Sequence, residues 1–349
     1  MRNVSITALL LGLGLVGQAH AQDDFVNGKA VEEGVLAGAT PEKAEEPDGW
    51  TFRLEVGSNV SVSSASNVVG SVEGTTYQIG FLVNGEARLK AGQHEWNNTL
   101  ALNHQQTKTP SIDPFVKTAD NLELRSMYLY HLPSVPWLGP FARARLQTQV
   151  LSGYLIRGEQ VDVTVNGAVT REDVAPGTRV DLTSPFEPLL LRESTGFFAR
   201  PWDSKAFRLT STLGAGAQQV ISQGGFAITD EVDAADGNDK QITLSEIEST
   251  NQIGAELEAE ATGAINEQVG YTLSANLLYP FVTSTDTTAD GRKLEGAALM
   301  NIDLGAKLAV KLSKWASLDY VLSARRIPLV LDEWQVTNAL LLSATFNVL

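Results

Sequence analysis

The chain has 349 residues, of which 43% are hydrophobic, and its formal net charge is −15. The negative charge argues against nucleic-acid binding, because a phosphate-binding surface needs an excess of Lys and Arg. The sequence contains no cysteine, which excludes disulfides, thiolate metal sites and cysteine catalysis.

Residues 1–21 have the pattern of a secretory signal peptide. Arg2 gives a positive start, residues 8–16 form an apolar run, and residues 19–21 form a small-x-small cleavage site. The apolar run is too short to cross a bilayer as a helix. We therefore expect export from the cytoplasm, with residues 22–48 as a flexible, acidic periplasmic spacer before a barrel domain over 49–349.

From Trp50 onward, apolar and polar residues alternate with a period of two. The pattern is clear over 50–57, 77–90 and 300–312. The apolar face of the last segment would be about 43 Å long if fully extended. Such length is typical of strands that cross a bilayer, with an apolar face toward lipid and a polar face toward a lumen. The pattern predicts an all-β fold with a single antiparallel transmembrane β-barrel; a soluble β-sandwich, which has shorter strands, is the alternative.

Twelve strands satisfy the rule that single-chain bacterial barrels have an even number. The segment 188–200 is included mainly for this parity, since the strand count is least defined around 157–205. The connection 157–187 contains a predicted hairpin around Asn166-Gly167, a dipeptide that favours a two-residue turn. The predicted strands are 50–62, 75–90, 95–107, 118–131, 140–156, 188–200, 205–221, 250–264, 268–284, 297–312, 315–326 and 338–349.

Short and long connections alternate in this scheme, so both ends of the barrel domain lie on the periplasmic side. The predicted long connections, which would be extracellular, are 63–74, 108–117, 157–187, 222–249, 285–296 and 327–337. Five tryptophans fall at or beside predicted periplasmic strand ends, which is typical of an interfacial aromatic belt. They are Trp50, Trp96, Trp137, Trp202 and Trp315.

Several segments have the sequence of a known family. These are 96–100, 117–128, 145–149 with Gly153-Tyr154, 197–201 and 254–256. They resemble the outer-membrane barrel family catalogued as domain of unknown function 3078, over most of residues 50–345. The stretch Lys-x-x-Asp-x-Leu-Glu-Leu, which begins at Lys117, is the most specific part. The resemblance implies an outer-membrane barrel and supplies no activity and no catalytic residues.

Inward-facing polar residues are the strongest functional signal in the sequence. Buried charges in a narrow lumen must form pairs or stay hydrated. An eight-stranded barrel is filled by side chains and one of sixteen to eighteen strands has a pore, so twelve strands leave both arrangements open. The residues are candidates either for a selectivity filter or for an ion-pair network. They are Arg143, Arg145, Gln147, Gln149, Arg88, Glu86, Arg125, Glu123, Lys307 and Asp303.

Catalysis is not expected. His94 and His104 are about 33 Å apart along one extended strand and cannot share a site. Asn103-His104 could be a fragment of a Ser–His hydrolase site, but no serine is tied to it by spacing. We therefore predict no enzyme activity, no cofactor and no metal site.

Two functions stay open. The first is a porin-like channel or transport barrel for small solutes. The second is a non-conducting structural or interaction barrel whose extracellular loops bind a partner or surface glycan. In both cases the barrel is predicted to lie in outer-membrane lipid. The sequence identifies neither a solute nor a protein partner. A lumen closed by Arg–Glu pairs or by the connection 157–187 would favour the second function.

Overall fold

The computed structural model describes residues 48–65, 74–165, 168–233, 240–288, 291–313 and 315–347. The predicted signal peptide and all but the last residue of the predicted spacer lie outside these ranges. Within them, no helix combines the length and the hydropathy of a membrane span. In the described part of the chain, the one helical element is a short 3-10 turn at Gly296–Leu299.

The described residues form eighteen strands. They are β1 (Gly49–Ala65), β2 (Gly74–Ala91), β3 (His94–Thr109), β4 (Ile112–Tyr130), β5 (Leu138–Thr148), β6 (Gly153–Ile156), β7 (Val161–Val165), β8 (Ala168–Val174), β9 (Arg179–Thr183), β10 (Leu189–Asp203), β11 (Arg208–Ile221), β12 (Phe226–Asp233), β13 (Lys240–Glu246), β14 (Thr250–Ala264), β15 (Val269–Thr283), β16 (Asn301–Lys311), β17 (Ala316–Ile327) and β18 (Leu331–Asn347).

Twelve of these strands close an antiparallel barrel in the order β1-β18-β17-β16-β15-β14-β11-β10-β5-β4-β3-β2. This confirms the predicted all-β class and the count of twelve. The segment 188–200, included for parity, is the barrel strand β10, and it pairs with β5 on one side and β11 on the other. Each strand pairs with both neighbours in the ring, although β1 and β18 pair over only part of their described length.

Some predicted boundaries are wrong. The predicted strand 140–156 leaves the wall after Thr148, and its last residues form β6 instead. The predicted long connections 108–117 and 327–337 are tight, because β3 with β4, and β17 with β18, continue almost to the turn. In these strands the alternation of apolar and polar residues continues beyond the length that a bilayer requires. The predicted strict alternation of short and long connections therefore does not hold.

The two ends of the barrel differ. At one end, here called the short-turn end, brief connections join β2 to β3, β4 to β5, β10 to β11, β14 to β15 and β16 to β17. The first residues of β1 and the last residues of β18 lie at this end too, as predicted. The opposite end, here called the long-loop end, carries the connections from β5 to β10 and from β11 to β14, which contain strands of their own.

These two connections build a separate unit at the long-loop end, here called the cap. It contains a four-stranded sheet, β12-β13-β7-β8, and a two-stranded sheet, β6-β9. The hairpin of β7 and β8 confirms the prediction, although Asn166-Gly167 themselves lie outside the described residues. The cap has a hydrophobic core formed by Leu155, Val161, Val163, Val174, Val180, Leu182, Ile242 and Leu244. A core of its own makes the cap an ordered unit rather than a set of loose loops.

The outer surface of the barrel is apolar. Its exposed side chains include Val60, Ile79, Leu213, Ile253, Leu273, Leu304, Leu308 and Leu342. All five predicted belt tryptophans are exposed, between 39% and 57%, and lie near the short-turn end. Trp50 also packs against Trp96 with ring centroids 5.7 Å apart. An apolar wall with an aromatic belt is the surface of a transmembrane β-barrel.

Candidate functional site: the barrel lumen

The inner face of the barrel is lined by polar side chains because strand alternation places them opposite the apolar outer residues. Nine of the ten predicted site residues lie on barrel strands; Glu86, Arg88 and Arg125 are half-buried there. The remaining six are buried on the inner face: Glu123, Arg143, Arg145, Gln147, Asp303 and Lys307. The tenth, Gln149, lies beyond the end of β5 and belongs to a different cluster, described below.

Arginines on β5 pair with glutamates on other strands. Arg143 Nη2 is 2.8 Å from Glu256 Oε1, and its Nη1 is 2.5 Å from Glu258 Oε2, both on β14. Arg145 pairs with Glu123 on β4. The predicted basic stripe is therefore neutralised by carboxylates. Since a buried charge without a partner is costly, these pairs make the stripe compatible with a closed interior.

Other pairs reach further across the barrel. Arg125 Nη2 on β4 is 2.7 Å from Glu258 Oε1 on β14. Arg325 on β17 donates to Asp303 Oδ2 at 2.9 Å and reaches Gln147 Oε1 on β5 at 3.4 Å. Strands β17 and β5 are half the ring apart. Side chains from opposite walls therefore meet in the middle of the lumen.

An arginine that sequence reasoning did not select completes this network. Arg192 on β10 is buried; its Nε donates to Gln218 Oε1 at 3.1 Å and its Nη1 donates to Asn276 Oδ1 at 2.6 Å. It shares its strand parity with Ser194 and Phe198, which are also buried. The alternation of residues within 188–200 could have placed it inward, but the assignment of that strand rested mainly on the even strand count.

Apolar side chains also point inward near the short-turn end. Leu129, Phe141 and Phe198 form a buried cluster, here called the short-turn layer, and Phe198 is 0% exposed. Phe141 shares strand parity with Arg143, and the Arg143 guanidinium carbon lies 5.8 Å from its ring centre. A search that assigns apolar residues to lipid misses such residues, although their parity with inward arginines identifies them.

A polar cluster, here called the latch, accompanies the short-turn layer. It consists of Glu95, Arg88, Arg200 and His131. Glu95 is within 3.0 Å of Arg88, 3.1 Å of Arg200 and 3.1 Å of His131. These partners come from β2, β10 and the β4–β5 turn, so the latch extends across one third of the ring. The His131 ring also meets Phe198 edge-on, with centroids 5.0 Å apart.

A second apolar cluster lies inside the long-loop end. Leu190, Val220, Ile327 and Val330 form this buried group, here called the long-loop layer, and Ile247 packs against it. Its residues come from β10 and β11 on one wall and from β17 and the following turn on another. The polar network of the lumen therefore lies between apolar layers at its two ends.

Lys117 and Asp120 hold the first connection of the cap against β4. Lys117 Nζ donates to Asp120 Oδ2 at 3.2 Å, to Gln149 Oε1 at 2.8 Å and to the Leu151 carbonyl at 3.0 Å. The Leu151 amide donates to Asp120 Oδ2 at 2.7 Å. We call these four residues the clasp. Gln149, predicted to line the lumen, instead serves this clasp.

Glu187 joins the two connections that build the cap. Its carboxylate accepts hydrogen bonds from the Ser222 hydroxyl at 2.9 Å, from the Gly225 amide at 3.2 Å, from the Ser184 amide at 3.2 Å and from the Gln223 amide. Burial raises the pKa of Glu187, but these hydrogen bonds outweigh burial and lower the pKa below its usual value.

The comparison with protein families identifies part of the chain. Residues 66–154 match the model of the family described as "Protein of unknown function (DUF3078)". The match covers about a quarter of the chain and confirms the resemblance over that segment. It contains Lys117, Asp120 and Leu151, so the clasp lies inside the matched segment. No curated protein matches the chain.

Solved barrels resemble the chain only distantly. The translocator domain of the autotransporter NalP from Neisseria meningitidis has 8% identity and a TM-score of 0.39, with 95% of this chain and 99% of that chain covered. An outer membrane channel from Pseudomonas putida F1 has 8% identity and a TM-score of 0.36, with 86% and 95% covered. The Pseudomonas putida toluene transporter TodX has 11% identity and a TM-score of 0.31, with 81% and 77% covered. Similarity at this level does not extend to function.

Proposed function

We propose that the protein is an outer-membrane β-barrel that does not conduct, because its own side chains close its lumen, and that its cap is the part that meets the exterior. The contact between Arg325 and Gln147, from strands half the ring apart, carries this proposal. A porin-like pore of this strand number would hold a continuous column of water at that level.

The apolar layers at the two ends support the same function. Phe198 in the short-turn layer and Ile327 in the long-loop layer are both buried and inward-facing. Apolar constrictions in a narrow pore resist wetting, and therefore resist ion passage. The alternative, a channel for small solutes, requires both layers and the charged network between them to part.

The cap supports an interaction role. It has two sheets and a buried core, and it is attached to the barrel by the clasp and by Glu187. A rigid scaffold that presents ordered loops is a frequent arrangement for binding surfaces. In this proposal, the partner that binds the cap is a protein or a surface glycan.

The deciding experiment is single-channel recording of the refolded mature protein in a planar bilayer. We expect no discrete openings from a protein whose electrophoretic mobility changes on boiling, which shows that it is a folded barrel. Phe198→Ala combined with Ile327→Ala and Arg325→Ala removes one side chain from each apolar layer and the guanidinium that bridges the lumen between them, and should give openings. The matched control is Phe197→Ala combined with Leu213→Ala, because both residues face lipid and pair across β10 and β11. Steady openings from the wild type would overturn the proposal in favour of the channel.

A further inference from the structure

The barrel wall has a short seam between β1 and β18. Among the residues that the structure describes, the two strands pair from Glu55 opposite Asn347 to Asn59 opposite Ser343. By contrast, β1 pairs with β2 along its whole length. Beyond Asn59, residues 60–65 of β1 and residues 331–342 of β18 continue toward the long-loop end, and no pairing joins these described segments.

This parted seam has a physical consequence. Lipid offers no hydrogen-bond partner to a backbone N–H or C=O group, so spanning barrels normally pair every edge. The backbone edges beyond Asn59 and Ser343 therefore need another polar partner or access to the lumen. The outer surface beside them is apolar, since Val60 is 64% exposed and Leu342 is 56% exposed. The seam thus places hydrocarbon and lumen next to each other.

Neutral amide side chains lie on the lumen side of the seam. Gln78 donates to Gln105 Oε1 at 2.7 Å, and Gln105 donates to Asn103 Oδ1 at 3.4 Å. Asn59, the last seam residue that is paired, is buried near them. Asn59 Oδ1 and Asn103 Nδ2 are buried atoms without a hydrogen-bond partner. These four residues, here called the amide cluster, therefore include a buried acceptor and a buried donor that have no partner.

Gly80 makes room for this cluster. A Cβ atom at Gly80 would lie 2.2 Å from Asn59 Oδ1 and 2.7 Å from Gln105 Cγ. The Asn59 side chain therefore lies directly over the Gly80 backbone, where a larger residue would displace it. The position of Asn59 at the end of the seam depends on this glycine.

The amide cluster fits one class of ligand. An amide presents both a donor and an acceptor, and a hydroxyl group can satisfy both. None of the four side chains carries a charge, so a charged head group would find no counter-ion among them. A hydroxyl-rich head group attached to an alkyl chain would match the cluster on the lumen side and the apolar wall on the outer side.

We propose that the part of the β1–β18 seam beyond Asn59 is a lateral binding site for such an amphiphile from the surrounding lipid. Its hydroxyl groups bind Asn59 and Asn103, and its alkyl chain lies against Val60 and Leu342. The proposal rests on the membrane location in the proposed function and adds a ligand class to it. It does not require the lumen to conduct.

The test uses native mass spectrometry of the full barrel released from a zwitterionic detergent. Dodecyl maltoside is the probe, and dodecylphosphocholine and free maltose are the comparisons. We expect one retained dodecyl maltoside per wild-type barrel and no retained maltose. Asn59→Ala and Asn103→Ala should each weaken retention at least tenfold. Asn301→Ala is the matched control, because Asn301 is also a buried asparagine with an unpaired side-chain oxygen but lies on β16, three strands from β1.

Disulfides test the seam itself, since the chain has no native cysteine. Val60→Cys with Leu342→Cys would tie the first unpaired position and should abolish retention, with recovery on reduction. Ser58→Cys with Ala344→Cys ties a position that is already paired and should leave retention unchanged. If only the second pair cross-links, the first pair lies beyond disulfide reach, which supports a parted seam.

Equal retention of the two dodecyl detergents, or unchanged retention in Asn59→Ala, would overturn the proposal. Such a result in a barrel that is still heat-modifiable and silent in the bilayer would leave the proposed function standing. Openings in the wild-type barrel, together with selective retention of dodecyl maltoside, would overturn the proposed function and leave the lateral binding site standing.

Discussion

Arg325 on β17 reaches the side-chain oxygen of Gln147 on β5 at 3.4 Å, although six steps separate their strands in either direction around the ring. Arg325 also holds Asp303 on the neighbouring strand at 2.9 Å. One guanidinium therefore ties together two opposite walls and a buried carboxylate. The stability of the closed lumen should depend strongly on this residue.

Arg325→Ala should lower the free energy of unfolding by about 3–5 kcal/mol, because it removes the cation that is paired with buried Asp303. Urea unfolding in lipid vesicles, followed by tryptophan fluorescence, measures the effect. Arg325→Met combined with Asp303→Leu removes both charges and should recover most of the loss. A loss that is equally large in the double variant would mean that packing, rather than charge pairing, is responsible.

The clasp should control the cap without controlling the barrel. Lys117→Met removes donors to Gln149 Oε1 and to the Leu151 carbonyl. We expect amide hydrogen exchange over residues 149–156 to accelerate roughly a hundredfold, which corresponds to about 2.7 kcal/mol. The mobility change on boiling should persist.

The control is Lys293→Met, which removes an exposed lysine from another connection at the long-loop end. Its effect on residues 149–156 should be negligible. Unchanged exchange in Lys117→Met would show that the cap core alone holds this connection.

Strand positions were predictable from the sequence because a lipid-facing surface requires regular alternation. The strand that became β10 followed from parity, and the hairpin of β7 and β8 followed from Asn166-Gly167. Alternation also placed Arg143 and Arg145 on the inner face. It could not give the pairing of Arg143 with Glu256, because β14 lies three strands from β5 in the ring and their contact depends on how the lumen closes.

The rule that assigned residues to lipid or lumen by their polarity missed two features. The inward position of Phe198 contradicts the rule that apolar residues face lipid, and that rule fails where a lumen is closed by packing. The sequence showed the motif that begins with Lys117, but it did not show that Lys117 binds the connection that follows β5. Leu151, whose carbonyl accepts a hydrogen bond from Lys117, follows the end of β5, where the sequence predicted a continuous strand.

His131 should make the latch sensitive to pH. Its Nδ1 lies 2.6 Å from the Pro136 carbonyl and its Nε2 lies 3.1 Å from Glu95 Oε2. Both partners are acceptors, so both ring nitrogens must donate, which requires the protonated form. The hydrogen bond to Glu95, with the one to Pro136, outweighs burial and raises the pKa of His131 above its ordinary value of 6.5.

A raised pKa sets the direction of the effect. The stabilisation is fully present below about pH 6 and is lost as the pH rises through the folded-state pKa. Wild type should therefore exceed His131→Gln in unfolding free energy by about 1–2 kcal/mol at low pH and by nearly nothing at about pH 9. Urea titrations across this range measure the difference. Glu95→Gln should remove the pH dependence of this difference in unfolding free energy. A difference between wild type and His131→Gln that persists at high pH would contradict the interpretation.

Glu187 should give the opposite pH dependence in the cap. Its pKa is lowered by hydrogen bonds from the 222–225 segment and from Ser184, so its contribution is present above about pH 4.5 and is lost as the pH falls through the folded-state pKa. Glu187→Gln should loosen both connections of the cap at neutral pH by about 1–3 kcal/mol, measured by hydrogen exchange over 184–188 and 222–226. Glu193→Gln, which removes an exposed carboxylate on β10, should leave both segments unchanged. If acidification loosened the cap equally in wild type and in Glu187→Gln, another carboxylate would be the one that ties the two connections.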